Sequence, residues 1–91
     1  MTEKQNVYPY TDKATGKFMG NYVRNLKNIE FEPAFGLSIQ LAVETAIKLS
    51  QSYQLPVVLS YNDDEINIPL DKNISANNIV KAYRAKYQNT K

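Results

Sequence analysis

The spacing of apolar residues changes along the chain, and its longest regular stretch has helical period. Apolar side chains recur at helical intervals across residues 37–53, which predicts an amphipathic helix. Pro33 or Ser38 can begin this helix, and Pro56 ends it. The apolar stripe comprises Ile39, Ala42, Val43, Ala46, Leu49 and Tyr53, and the polar stripe comprises Gln40, Glu44, Lys48 and Gln51.

After Pro56 the period becomes two, as in β-strands. The polar tetrad Asn62–Glu65 separates two alternating stretches and supplies turn chemistry, so residues 57–70 are predicted to form a hairpin. Val57, Leu59 and Tyr61 share one face of the first strand. Ile66, Ile68 and Leu70 share one face of the second strand.

A closing helix is predicted over about 76–88, with Ser75 as its N-cap. Lys81 and Arg84 are neighbours on the side of this helix that faces solvent. The apolar stripe comprises Ala76, Ile79, Val80, Tyr83 and Tyr87.

The first third of the chain predicts extended structure. Residues 7–18 form two extended pieces around a turn, and a second extended stretch covers residues 17–23. Pro9 belongs at a sheet edge because it has no N–H to donate. The alternation in Ile29–Glu32 indicates a short, half-buried strand whose glutamates face solvent.

Together these elements predict an α+β fold in a single domain, residues 1–91. A small antiparallel β-sheet is built from the N-terminal hairpin, the short strand and the hairpin 57–70, with both helices packed on it. A chain of 91 residues leaves no room for a second core. So short a chain buries limited surface, and homo-oligomerisation would therefore add stability.

Composition indicates a folded protein, and the absence of cysteine fits a reducing compartment without requiring one. The chain is 43% hydrophobic and 22% charged, which argues against general disorder, and it contains no cysteine. Its polar N-terminus is not followed by an apolar leader segment, and no apolar run is long enough to span a membrane. These features predict a cytoplasmic location.

The net charge of +2 conceals an uneven distribution. Residues 1–27 and 72–91 are basic, whereas residues 28–71 carry seven acids and a single basic residue, Lys48. Either these charges lie on separate solvated faces, or the two ends of the chain form a basic surface.

Two local motifs resemble a metal-binding loop and a phosphate-binding loop, but each lacks residues that such a loop requires. Asp63, Asp64 and Glu65 offer oxygen ligands, but they lack the alternate spacing of a calcium loop and are explained by a solvated turn. Ala14–Lys17 has the Gly-Lys of a phosphate-binding loop without its first glycine or its following Ser or Thr. We therefore predict neither a metal nor a cofactor.

Catalytic residue types are scarce. The chain contains neither histidine nor cysteine, so the commonest general base and the strongest nucleophile are both absent. We predict that the protein is not an enzyme.

Aromatic residues concentrate in the two basic segments, where rings beside cations can anchor a partner. Phe18 and Tyr83 are expected in the core, whereas Tyr8, Tyr10 and Tyr22 are equally compatible with half-burial and with binding. The candidate partner-binding residues are Tyr8, Tyr10, Tyr22, Arg24, Lys81 and Arg84.

The function predicted from these features is a non-enzymatic binding protein that acts through an interface with a protein partner. Short, cysteine-free chains without a catalytic set are typical of phage or mobile-element proteins with inhibitory or accessory roles. The alternative is a nucleic-acid-binding protein that uses the basic, tyrosine-bearing ends, although a pI near 8.8 is low for that class.

Overall fold

A computed structural model describes the backbone of residues 6–88 and the side chains of residues 6–86. Seven elements follow one another along the chain. They are β1 (Val7–Thr11), β2 (Phe18–Arg24), β3 (Ile29–Pro33), α1 (Ile39–Tyr53), β4 (Val57–Tyr61), β5 (Asp64–Ile68) and α2 (Ala76–Gln88). The five strands form one sheet in the order β1-β2-β3-β4-β5. The predicted α+β fold with two helices is therefore confirmed.

The sheet is mixed, and it differs in this respect from the antiparallel sheet predicted. β3 and β4 pair in parallel, with Ile29 opposite Val57 and Phe31 opposite Leu59, while every other pair is antiparallel. The reason is the helix between them: α1 carries the chain back along the sheet, so β4 starts at the same end as β3. The remaining connections are short turns, which reverse the chain.

α1 packs on β3, β4 and β5 and buries most of its predicted stripe. Ser38 is its N-cap, and the Ser38 hydroxyl accepts a hydrogen bond from the Leu41 N–H at 3.2 Å. Gln54 ends the helix in the left-handed conformation, two residues before Pro56. Both ends therefore agree with the predicted boundaries to within about two residues.

α2 lies against α1 and reaches the sheet at the ends of β4 and β5. Val80 is buried, while Ile79 and Tyr83 are half-buried against the core, as predicted. The predicted contribution of Tyr87 lies outside the described side chains. Neither helix of the described chain is long and apolar enough to cross a membrane.

The hairpin β4–β5 has a tighter turn than predicted. Asn62 and Asp63 alone form it, both with positive φ, which is the geometry of a two-residue type I′ turn. Asp64 therefore belongs to β5, where its carboxylate pairs with Lys86 of α2 at 3.6 Å instead of lying in a solvated turn. β5 ends at Ile68, so Leu70 falls outside the strand and is 42% exposed.

The hairpin β1–β2 places Pro9 on an edge strand, as predicted. A register shift between Tyr10 and Thr11 interrupts its ladder close to the turn. Phe18 lies beside this irregularity and is 45% exposed, so the expectation that it joins the core is wrong. Met19, its neighbour, is buried instead.

Gly20 is required where β2 meets β3. Its φ is +142°, and a Cβ there would overlap the Glu32 carbonyl oxygen and lie 2.8 Å from the Pro33 Cα. The backbones of β2 and β3 therefore approach closely only because position 20 has no side chain.

Replacing Leu59 or Ile68 with alanine should lower the free energy of unfolding by about 2–5 kcal/mol, because each leaves a cavity beneath α1. Both side chains are almost wholly buried, at 0% and 1% exposure. Urea denaturation measures the loss. Leu26→Ala is a matched control, since Leu26 is 98% exposed and its truncation should cost less than about half a kcal/mol.

Gly20→Ala should destabilise the fold by about 3 kcal/mol or more, since backbone strain and overlap add together. Gly16→Ala provides the control, because Gly16 has φ +74° and no atom within 4 Å of the position that a Cβ would take. Strain alone should cost about 1–2 kcal/mol there. Equal losses in thermal or urea unfolding would show that β2 and β3 can move apart.

Candidate functional site

Four of the six predicted binding residues lie together on one side of the β1–β2 hairpin. Tyr22 and Arg24 contact Tyr53 of α1, so they lie on the helix side of the sheet. Tyr8 stands directly opposite Tyr22, and Tyr10 follows at the next position on the same face. We call these five residues (Tyr8, Tyr10, Tyr22, Arg24 and Tyr53) the tyrosine platform.

Rings and a guanidinium follow one another across the tyrosine platform. The Tyr8 and Tyr22 ring centroids are 5.5 Å apart, and those of Tyr22 and Tyr53 are 5.9 Å apart. The Tyr22 and Tyr53 hydroxyls share a hydrogen bond of 2.8 Å. The Arg24 Cζ lies 4.5 Å from the centre of the Tyr53 ring, within the range of a cation–π interaction.

Among the rings of the tyrosine platform, exposure is lowest at Tyr22 on β2 and highest at Tyr8 on the edge strand β1. Tyr22 is buried at 9% exposure, Tyr10 and Tyr53 are half-buried, and Tyr8 is 37% exposed. α1 covers β3, β4 and β5, so the rings on β1 and β2 continue the helix-side face beyond the helix. The inner rings thus serve the fold, while Tyr8 and part of Tyr10 remain available to a partner.

The tyrosine platform carries one positive charge, that of Arg24, and its tyrosines are neutral. Arg24 is exposed and, among the described residues, takes part in no ion pair. Burial, followed by the hydrogen bond with Tyr53, raises the pKa of Tyr22 to about 12. The hydroxyl of Tyr22 therefore stays protonated at neutral pH, and the chemistry available here is stacking, cation–π contact and hydrogen bonding.

Lys81 and Arg84 lie elsewhere. Both are exposed on α2, which reaches the sheet at Tyr61 and Asp64, whereas the tyrosine platform lies at the β1–β2 edge. Their grouping with the platform residues in the sequence depended only on the basic character of both segments.

Two exposed apolar residues were not among the candidates predicted from the sequence. Phe35 and Leu26 occupy turns and are fully exposed, at 107% and 98%. The turn of Phe35 is held by hydrogen bonds at both ends, from the Ala34 N–H to the Met19 carbonyl and from the Leu37 N–H to the Ala34 carbonyl. The available signal was an apolar residue within a Pro-Ala-Phe-Gly turn, where polar residues are usual.

A cleft of about 680 Å³ lies beside Phe35, between the β3–α1 loop and the β4–β5 turn. Its lining includes the acidic residues Glu32, Asp63, Asp64 and Glu65. Among the described residues no group of three or more such side chains is arranged to hold a metal ion. With four acidic residues in its lining, the cleft is an acidic surface.

The raised pKa of Tyr22 predicts a pH dependence of stability. An unfolded tyrosine ionises near pH 10, so between about pH 10 and 12 the unfolded chain releases a proton that folded Tyr22 keeps. The stabilisation from Tyr22 is thus complete below pH 10 and is lost as the pH rises through 12. Urea denaturation across this range should show a shallower decline for Tyr22→Phe than for the wild type.

Tyr53→Phe is the matched control, because it removes the shared hydrogen bond and leaves Tyr22 in place. The pKa of Tyr22, followed by NMR of its ring carbon, should fall in this variant but stay above its ordinary value, since burial is the larger cause. A Tyr22 pKa near 10 in the wild type would contradict the assignment.

Comparison with known proteins does not identify the chain. No protein-family model matches it, and neither a curated protein nor a solved structure is significantly similar to it. Arguments about its function therefore depend on the geometry and chemistry of its own residues.

Proposed function

We propose that the protein is a non-enzymatic binding protein whose tyrosine platform contacts a protein partner, in the manner of a small accessory or inhibitory protein. The observation that carries this proposal is the run of contacting, mutually tilted tyrosine rings that continues beyond α1 and ends in the exposed Tyr8. Arg24 adds an exposed cation without a carboxylate partner among the described residues.

The residue types of the tyrosine platform suit a protein interface. Tyrosine and arginine are enriched among residues that dominate binding energy, because each combines a large contact area with a hydrogen-bonding group. Contacts between Tyr8, Tyr22 and Tyr53 already restrict these rings in the free protein. Less side-chain entropy is then lost when a partner docks.

The distribution of basic residues favours a protein partner over nucleic acid. The two basic segments lie at opposite edges of the sheet, so Lys81 and Arg84 do not extend the platform into one cationic groove. The sheet face away from the helices carries the exposed glutamates Glu30, Glu32 and Glu65, which would repel phosphates.

Affinity capture from native lysate tests the proposal, with wild type and the double variant Tyr8→Ala, Tyr10→Ala as baits. The variant should bind the captured protein at least about tenfold more weakly, because it removes two anchoring rings. Capture should survive nuclease treatment and change little with added salt. Circular dichroism confirms that the variant is folded.

Two further baits serve as controls. Phe35→Ala removes an equally large exposed ring away from the tyrosine platform, and Lys81→Glu, Arg84→Glu reverses the predicted basic face of α2. Both should retain the partner if the platform is the binding surface. Undiminished capture by the tyrosine double variant would contradict the proposal, and capture abolished by nuclease would favour the nucleic-acid alternative.

A further inference from the structure

The two edges of the sheet are protected unequally. The edge strand β1 carries Pro9 and a register shift at Tyr10/Thr11, and both features discourage pairing with another strand. The edge strand β5 has neither proline nor register shift within its five residues, and β4 is its only strand partner in the described chain. β5 is therefore the edge that is open to a further strand.

The turn between β4 and β5 determines which backbone groups of β5 point outward. In a two-residue type I′ hairpin, the residues that flank the turn, Tyr61 and Asp64, form a hydrogen-bonded pair. Pair types alternate along an antiparallel ladder, so the N–H and C=O groups of Glu65 and Asn67 point away from β4. No hydrogen bond among the described residues reaches these groups, and both residues are exposed.

We propose that β5 pairs with β5 of a second copy of this chain, in antiparallel orientation, about a twofold axis at Ile66. This register places Glu65 of one copy opposite Asn67 of the other, so both outward-facing residues of each strand become hydrogen-bonded. The two five-stranded sheets join into one continuous sheet.

Two side-chain pairs that this register creates, Glu65–Asn67 and Ile66–Ile66, are compatible with strand pairing. On the sheet face away from the helices, Glu65 of one copy faces Asn67 of the other, so no like charges stand directly opposite each other. On the helix side, Ile66 meets Ile66 of the second copy in the close, non-hydrogen-bonded type of pair, which favours β-branched residues. Ile66 is only half-buried in the single chain, so further burial remains to be gained there.

Self-pairing also explains why a second copy is a better occupant than an arbitrary peptide. The antiparallel register about Ile66 suits the strand best, since a shift of two residues in one direction would bring Glu65 opposite Glu65, and in the other would bring Glu65 opposite Pro69, which has no N–H to donate. The tyrosine platform lies at the other edge of the sheet, so this pairing leaves it accessible. The two proposals can therefore fail independently.

Sedimentation equilibrium over a range of concentrations tests the pairing. Wild type should show a monomer–dimer equilibrium. Asn67→Glu should weaken dimer association about tenfold, because the new glutamate of each copy then faces Glu65 of the other. Combining Asn67→Glu with Glu65→Lys should restore the dimer, since opposite charges then face each other. Asn21→Glu is the control and should leave association unchanged. Asn21 is on the same face of the sheet as Asn67, but on the interior strand β2.

A wild type that remains monomeric at its highest soluble concentration would overturn the proposal, as would a dimer that Asn67→Glu does not weaken. Disulfide crosslinking gives a second, independent test. Because the chain has no cysteine of its own, a single introduced cysteine is the only site that can crosslink. Ile66→Cys should form a disulfide-linked dimer under mild oxidation, whereas Val58→Cys, half-buried on the central strand β4, should not. Equal crosslinking of the two variants would also overturn the pairing.

Discussion

The burial of the parallel strands β3 and β4 beneath α1 is the constraint on which the rest of the structure depends. Ile29, Phe31 and Leu59 lose almost all contact with solvent there. Ala42 and Ala46 on the facing side of α1 are fully buried, and their small side chains let the helix approach the sheet closely. Parallel neighbours cannot be joined by a tight turn, so the same helix that covers these strands must also connect them.

The position of α1 decides what the remainder of the sheet can do. Because the helix covers β3, β4 and β5, the helix-side face of β1 and β2 extends beyond it. Contacting tyrosine rings complete the cover near the helix, and Tyr8 at the edge is exposed, so one row of rings stabilises the fold and also forms the proposed binding surface. The proposed binding surface is thus a consequence of a helix that is narrower than its sheet.

The edges and faces of the sheet have different chemical characters. β1 is protected by proline and an irregular register, while β5 presents a regular ladder. The face away from the helices carries exposed glutamates, and the tyrosine platform carries Arg24. A partner on the platform and a second copy on β5 would therefore meet surfaces of different kinds at opposite edges.

Much of the local structure could be predicted because it depends on neighbours in sequence. The helical period of residues 39–53, the alternation of Val57–Tyr61 and the stripe that contains Val80 each identified an element and its buried side. Ser38, one of the two starts predicted for α1, accepts a hydrogen bond within its own turn and is the N-cap. Tyr8, Tyr10, Tyr22 and Arg24 of the candidate site could be named, since residue type indicates their capacity for binding, whereas Tyr53 was assigned only to the apolar stripe of α1.

The tertiary structure decided how these pieces meet. Three features depend on residues that are far apart in the chain. They are the parallel pairing of β3 with β4, the exposure of Phe18 beside the buried Tyr22, and the position of Arg24 over Tyr53. The same holds for the separation of Arg24 from Arg84, which share a basic character in the sequence but not a surface. By itself the sequence determined the elements and their apolar faces, because short-range backbone geometry sets both; strand order and the grouping of side chains into surfaces came only from packing between distant segments.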